Sequence, residues 1–529
     1  MEQPSQNTTK MISLVPTNGT EFDITQGQKV IFELPPNLGL LKGRDSHLVL
    51  DICNTSSQNN RLALNTMAGC EAIIARVDIY SLRDGTHIET MNNYNMMAAM
   101  ANQYLYEDKT NLASLQGCGC EVYAKHVVAG ATVNVESDSD CVENTQLSPV
   151  DPQGVNVKEA YNFRRYVAPL KSGFLGRWWD DELLCPLIAV GGVRVELTLE
   201  NPNRAFQCIQ TSQEDALGNA RGNLDPVGAD GRGAKLANNA GAATNTFQFA
   251  GTTADALGLC EGNVCDITGD VGAGQVAMAT GRTITQLNET GGNVNVVFNG
   301  AAFGAGSTNN ACRLSNFVKT ARVRPQWRCV SVAPPQNLIS QIGSGMNYEF
   351  TTYDYHISSL ISSATQHQVE LNSVATRAQC IMSNFVDTGL EERAMFSSYF
   401  AGGTPAETNL NSVQYFLKNR LQPVRAYNPQ TTGERIIAQH ELAKSFEAIS
   451  HEAVDLGNSE GANLNVYTNT FYIGRQLAKR PYYYDLKDAE GQIRLQFSGT
   501  RTNNVSINTF VWNKKICSIG AGAEIAIQL

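Results

Sequence analysis

Charge is scarce in this chain: 17% of its 529 residues are Asp, Glu, Lys or Arg, against about 25% in an average soluble protein. The hydrophobic share, 42%, is ordinary, so Asn, Gln, Ser, Thr and Gly take the place of the missing charges. Such a surface is suited to contact more than to solvation. Like charges never form a block, the net charge is −10, and the opening "MEQPSQNTTK" carries no basic arm. Direct binding to nucleic acid is therefore not expected, because nothing is placed to neutralise phosphates and release counterions. No stretch reaches the roughly 18 apolar residues of a membrane helix, and the start has neither a basic n-region nor an apolar h-region. The expectation is a soluble chain with no membrane span and no cleaved signal.

Paired cysteines at metal-site spacing are also missing. The 13 cysteines are odd in number, and Cys53, Cys70, Cys185, Cys329, Cys380 and Cys517 sit singly in apolar runs, as reduced thiols acting as small hydrophobes do. "CGC" (Cys118, Cys120) and "CEGNVC" (Cys260, Cys265) each resemble half a zinc site. No second pair and no nearby histidine completes either, although Cys260 and Cys265 could crosslink locally on oxidation. The N-glycosylation patterns, such as those at Asn7 and Asn504, arise by chance in an Asn- and Thr-rich chain.

What is present is strand. From Val193 the pattern alternates strictly, with Val193, Val195, Leu197 and Leu199 apolar and Arg194, Glu196, Thr198 and Glu200 polar, the two-residue period of a half-buried strand. "QKVIFELPP", "SHLVLDICN", "AIIARVDIYSL" and "CEVYAKHVVAGATVNVE" read the same way, bounded by turn formers such as "PPNLG" and "RDGT". Within this first part only "NMMAAMANQYLYED" looks helical, its Met residues suiting a short helix packed on a sheet. Between about 205 and 315 the composition shifts to Gly, Ala, Asn and Thr, yet "GQVAMATG", "RTITQL" and "VNVVFNG" remain β-capable, so an ordered insertion is expected. Strand patterns resume with "VKTARVRPQWRCVSV", "MNYEFTTYDYHISSL", "TRAQCIMSNFV", "NVYTNTFYIGRQL", "QIRLQFSGT" and "NVSINTFVWNKKICSIG". One long helix interrupts them, "GERIIAQHELAKSFEAISHEAV", on which Ile436, Ile437, Leu442, Phe446 and Ile449 can share an apolar stripe. Both halves thus follow one plan of strands, a helical interruption and closing strands of "VELTL" or "IRLQF" type. Two β-sandwiches in tandem explain the length and the plan together.

Candidate chemistry is thin. Asp180, Asp181 and Glu182 follow Trp178 and Trp179. On a strand Asp180 and Glu182 would face one way, about 7 Å apart, inside the range of glycosidase carboxylate pairs; the bland reading is the polar mouth of a strand. Asp138 and Asp140 in "ESDSDC" alternate like calcium ligands but lack the glycine and distal Glu of such a loop, so a solvated turn is expected. Glu447 and His451 share a helix face as an ordinary ion pair. Gly272, Gly274 and Gly281 have no phosphate-loop lysine, and no G-x-S-x-G elbow occurs. Tyr482, Tyr483 and Tyr484 form an aromatic row better suited to a packed strand end or an intersubunit contact than to a ligand platform. No catalytic, cofactor-binding or metal residue is assigned, and an enzyme is not expected.

The order of features resembles the double jelly-roll major capsid proteins of double-stranded DNA viruses. "GRWWDDELLCPLIAVGGVRVELTLENP" resembles the closing strand of their first jelly roll. "QYFLKNRLQPVRAYNPQTTGERIIAQHELAKSF", residues 414–446, is similar to the second-roll segment of the virophage and polinton-like virus members, where a strand and turn lead into a helix. "LVPTNGTEFDITQGQKVIFELPP" and "ARVDIYSLRDGTHIETMNNYN" look like the opening strands and the turn into the first helix. The resemblance implies an all-β chain of two tandem eight-stranded jelly rolls with short helices: residues 1–330, including a tower-like insertion at about 205–315, and residues 331–529. It implies a homotrimeric, pseudo-hexagonal capsomer in the virion, assembled inside the infected host cell and tiling an icosahedral shell around double-stranded DNA. Neighbouring capsomers, vertex and minor capsid proteins would be its partners, and it would need no cofactor. The alternatives are a carbohydrate-active β-sandwich enzyme using Asp180 and Glu182, and a vertex or spike protein.

Overall fold

The structure is a computed structural model. It describes residues 9–55, 62–64, 68–105, 115–117, 126–128, 131–133, 146–147, 163–176, 184–208, 234–236, 245–249, 261, 264–271, 274–290, 293–301, 312–315, 320–371, 375–387, 409–418, 420–450, 472–479, 482–487, 491–500, 504–520 and 524–528.

Eight principal strands build the first half: β1 (Thr9–Leu14), β2 (Lys29–Leu34), β3 (His47–Asn54), β4 (Ile74–Ser81), β5 (His87–Asn92), β6 (Arg164–Ala168), β7 (Val193–Leu199) and β8 (Ala321–Val332). They pair antiparallel in two sheets, β1-β8-β3-β6 and β2-β7-β4-β5. The second half repeats this with β9 (Met346–Leu360), β10 (Gln366–Glu370), β11 (Ala378–Asp387), β12 (Leu410–Leu417), β13 (Arg420–Tyr427), β14 (Tyr472–Gln476), β15 (Gly491–Phe497) and β16 (Val505–Ile519). Their orders, β9-β16-β11-β14 and β10-β15-β12-β13, are those of the first half displaced by eight strands. Two Greek keys wrapped into a pair of facing four-stranded sheets make a jelly roll. The chain is two jelly rolls in tandem.

Local chemistry accounts for the elements. In β7 the side chains of Val193, Val195, Leu197 and Leu199 are all buried, as the alternation requires. The β4–β5 hairpin turns through Asp84 and Gly85: the Asp84 carboxylate accepts the Thr86 N–H at 3.0 Å, and Gly85 takes φ +72°, a left-handed value that glycine adopts without steric cost. Pro325 lies inside β8 opposite Leu50, a place where a missing N–H is usually harmful. On the other side of β8, Leu14 pairs with Trp327 and Phe22 with Val323, and Pro325 falls between these two pairings.

Helix α1 (Tyr94–Tyr104) follows β5 as the Met-rich pattern predicts, and α3 (Thr432–Glu447) follows β13 at the equivalent point of the second roll. The apolar stripe expected on α3 is only partly right. Leu442 and Phe446, with Ile449 just beyond the helix, are buried, but Ile436 and Ile437 are 61% and 46% exposed. The helix lies on Gly474 of β14, where a Cβ would come within 2.9 Å of the Leu442 Cα. Ala438 rather than Ile436 or Ile437 is buried in the first turns.

Two further corrections concern connections. The "VELTL" strand is the seventh of its roll, equivalent to β15; the closing strand is β8, and the insertion lies between the two. A helix absent from the sequence reading, α2 (Gln336–Ser344), links the rolls between Pro335 and Gly345. The insertion itself forms a six-stranded sheet in the order 234–236, 312–315, 264–271, 274–290, 293–298 and 246–249. The segments "GQVAMATG" and "RTITQL" are one strand there, Gly274–Thr290, passing through Gly281 at φ +61°.

The rolls share a core. In the sheet β9-β16-β11-β14 one face carries Ile507, Val511, Ile381, Phe385 and Ile473 into the second roll's own interior. The other face packs Phe510, Trp512, Met382 and Tyr472 into the core of the first roll. A strap at 170–176 fills the seam: a Cβ on Gly173 would lie 1.6 Å from the Thr351 carbonyl oxygen of β9. Gly173→Ala must therefore push the rolls apart and is expected to destabilise the protein by about 3 kcal/mol. Gly433→Ala, a helical position with nothing within 4 Å, should instead gain about 0.5–1 kcal/mol. Urea denaturation of both variants checks the pair; equal effects would contradict this packing.

Candidate functional site

Most residues singled out for chemistry from the sequence fall outside the described residues: Trp178, Trp179, Asp180, Asp181, Glu182, Asp138, Asp140, Cys118, Cys120, Cys260, Gly272 and His451. The structure brings none of the others into a catalytic set. Cys265 stands on the strand Val264–Val271 opposite Arg282. Glu447 ends α3, and Gly274 and Gly281 lie within one strand. The tyrosine row divides: the backbone of Tyr484 exchanges two hydrogen bonds with Ala378, at 2.8 and 2.9 Å, as a packed strand end, whereas Tyr482 is exposed. Among the described residues no group of three or more His, Cys, Asp or Glu is arranged to hold a metal ion, and no helix is long and apolar enough to cross a membrane.

The concentrated chemistry lies instead in the seam. Glu71, from the turn before β4, is fully buried and is held by three side chains from two elements, the strap and α1. The Lys171 ammonium donates to its Oε2, the Asn102 amide of α1 donates to the same Oε2 at 3.2 Å, and the Tyr94 hydroxyl donates to Oε1 at 2.5 Å. The Lys171 backbone N–H in turn donates to the Tyr94 hydroxyl at 3.0 Å. Burial and then the Glu71 charge hold the Tyr94 hydroxyl well above its ordinary range, which keeps it a donor. Two helical turns before Asn102, the Asn95 amide donates to Glu200 at 2.9 Å.

Beside this cluster the carboxylate of Glu89, on β5, accepts the Ser172 hydroxyl at 2.5 Å and the N–H groups of Gly173 and Phe174 at 3.2 and 3.3 Å. The strap is thereby pinned to the first roll while its other side meets the second, where the Tyr348 hydroxyl donates to the Phe174 carbonyl at 2.9 Å. Further bonds cross the seam from Tyr353 to the Asn92 carbonyl and from the Asn93 amide to the Tyr355 hydroxyl, which itself donates to Asn508. Tyr104 of α1 stacks on Phe446 of α3 at 5.3 Å.

The sequence reading missed Glu71, Glu89 and Lys171. Their signal was a lone charge inside an apolar run, "GCEAII", "HIETM" and "PLKSGF", since Lys and Glu are almost never fully buried unless paired. Cys53, Cys70, Cys185, Cys329, Cys380 and Cys517 are buried as expected.

No protein-family profile matches the chain, and no curated sequence does. Solved structures do match along its length. It is similar to a chain of the PBCV-1 virus capsid, with 10% identity and a TM-score of 0.48 over 100% of this chain and 99% of that one. The Faustovirus major capsid protein matches at 10% identity and a TM-score of 0.48, over 98% and 91%. A chain of the Sputnik virophage matches at 10% and 0.46, over 100% and 90%. The fold is the double jelly roll. Its warrant is the strand order in each half, which bears out the resemblance at the level of fold.

Two expectations follow from the buried groups. Burial outweighs the hydrogen bonds to Glu89 and raises its carboxyl above the usual 4.5. Just above that value the folded state holds a proton that the unfolded state has released, so the contribution of Glu89 to stability falls as pH rises. The stability of the wild type relative to Glu89→Gln should thus decline as pH rises above the usual carboxyl value of 4.5 in urea titrations, and a constant difference would contradict it. Burial also pushes Cys53 up to about 11, and Cys329 and Cys517 up to about 12. At about pH 8 these thiols should resist iodoacetamide in the native state and react once unfolded, as read by peptide mass mapping.

Proposed function

We propose that this chain is a structural capsid protein of the virion shell and not an enzyme. The observation that carries the reading is the repeated strand order: one fold occurs twice, side by side, in a unit welded by a common core. A subunit with two near-equivalent rolls presents two near-equivalent flanks. Three such subunits about an axis present six and tile as a hexagon, using the economy of closed symmetric assemblies. The low charge supports broad lateral contact, since interface cores are depleted of charged residues.

In this reading homotrimers form pseudo-hexagonal capsomers of an icosahedral shell around double-stranded DNA, assembled inside the infected host cell. Neighbouring capsomers, vertex proteins and minor capsid proteins are the partners. The rolls divide after β8, which ends at Val332, and the sheet of the insertion stands as a tower between β7 and β8. Genome contact falls to other proteins, given the net charge of −10.

Light scattering coupled to size exclusion, followed by negative-stain imaging, tests the proposal. A three-chain particle of hexagonal outline, or spontaneous shells, is expected. A lone chain of 57.4 kDa at assembly concentrations would overturn it, and polysaccharide hydrolysis abolished by Asp180→Ala and Glu182→Ala would replace it with the enzymatic reading.

A further inference from the structure

The Glu71 cluster does more than neutralise charge. A primary amine and a primary carboxamide, Lys171 and Asn102, both hydrogen-bond one carboxylate oxygen, Glu71 Oε2. All three side chains are buried, at 5%, 4% and 0% exposure for Lys171, Asn102 and Glu71. Two donors on one acceptor oxygen place amine and amide within about 6 Å of each other. Ordinary pairing of a buried lysine needs only the carboxylate. Here a carboxamide is held beside the amine, with a proton acceptor between them and the acceptor itself fixed by Tyr94.

We propose that Lys171 and Asn102 are a self-modification site, joined by an isopeptide bond whose formation Glu71 promotes. The chemistry balances without an oxidant or reductant. Glu71 takes a proton from the Lys171 ammonium, and the Nζ lone pair attacks the Asn102 Cγ, forming the new C–N bond. Glu71 passes the proton to Nδ2, the Cγ–Nδ2 bond breaks, and the second Nζ proton follows the same path. The leaving nitrogen departs as ammonium and Glu71 is left as the carboxylate it began as.

Three features favour the step. An amine is a competent nucleophile once a neighbouring base removes its proton. The base is within hydrogen-bonding reach of both the nucleophile and the leaving group, as one residue serving as base and then acid requires. Fixed neighbours react as if at very high effective concentration, and exclusion of water protects the product from hydrolysis. Glu71 is the catalytic residue and Tyr94 a positioning residue. The bond would tie the strap covalently to α1, fixing two elements of the first roll that line the seam.

Intact-mass spectrometry of the purified full chain, followed by tryptic mapping, reads the bond directly. The wild type should be lighter than its sequence by one ammonia and should yield one crosslinked peptide pair containing Lys171 and Asn102. Lys171→Arg keeps the charge beside Glu71 but lacks the amine, and Glu71→Gln keeps both reactants but lacks the base. Each should show its full sequence mass. A folded wild type at full mass overturns the proposal without recourse to any variant. So does an ammonia loss that maps to Asn102 alone, with Lys171 free, which marks a succinimide. A crosslink persisting in Glu71→Gln would overturn the role given to Glu71.

Discussion

The sheet β9-β16-β11-β14, which must bury both of its faces, is the constraint from which the rest of this structure follows. In β16 the side chains of Ile507 and Val511 enter the core of the second roll, while those of Phe510 and Trp512 enter the core shared with the first. An ordinary antiparallel sandwich wets its outer faces. Here the outer face of β9-β16-β11-β14 is roofed by α1, α3 and the strap, and exposing it would return several large aromatic side chains to water, each worth roughly 1.5–3 kcal/mol. The second roll therefore depends on the first for a surface to lie against. The equivalent placement of α1 and α3 after the fifth strand of each roll brings Tyr104 onto Phe446 and closes the seam from the side.

Polar groups in such a seam need compensation, and the structure supplies it in an ordered way. The carboxylate of Glu89 is met by a hydroxyl and two backbone N–H groups, and that of Glu71 by an ammonium, an amide and a phenol. A buried ion pair adds little net stability over a hydrophobic substitute but is costly to break. The role that fits is registration: the strap can sit in one way only, and Gly173 can then approach the backbone of Thr351.

Much of the fold was legible because half-buried strands advertise themselves. The alternation from Val193 to Leu199 placed β7, and the similarity of "VELTL" to "IRLQF" paired two strands that occupy the same seventh place. Assigning the first as the closing strand failed because alternation says which face is buried and nothing about strand order. The exposure of Ile436 and Ile437 could not be read, since a helical stripe shows which residues could face a sheet but not how far the sheet extends. Helix α2 was readable from Pro334, Pro335 and Gly345 with Leu338 and Ile342 between, yet strand patterns on both sides dominated. The seam cluster escaped because residues 71, 102 and 171 converge only through tertiary packing, and a lone Lys or Glu in an apolar run has no partner visible in sequence.

The central claim is that the two rolls are one cooperative body joined by a common core. Differential scanning calorimetry of the intact chain tests it most directly. A single transition whose van't Hoff and calorimetric enthalpies agree for one complete chain is the result expected. Two separable transitions, with either roll persisting folded after the other has melted, would contradict it.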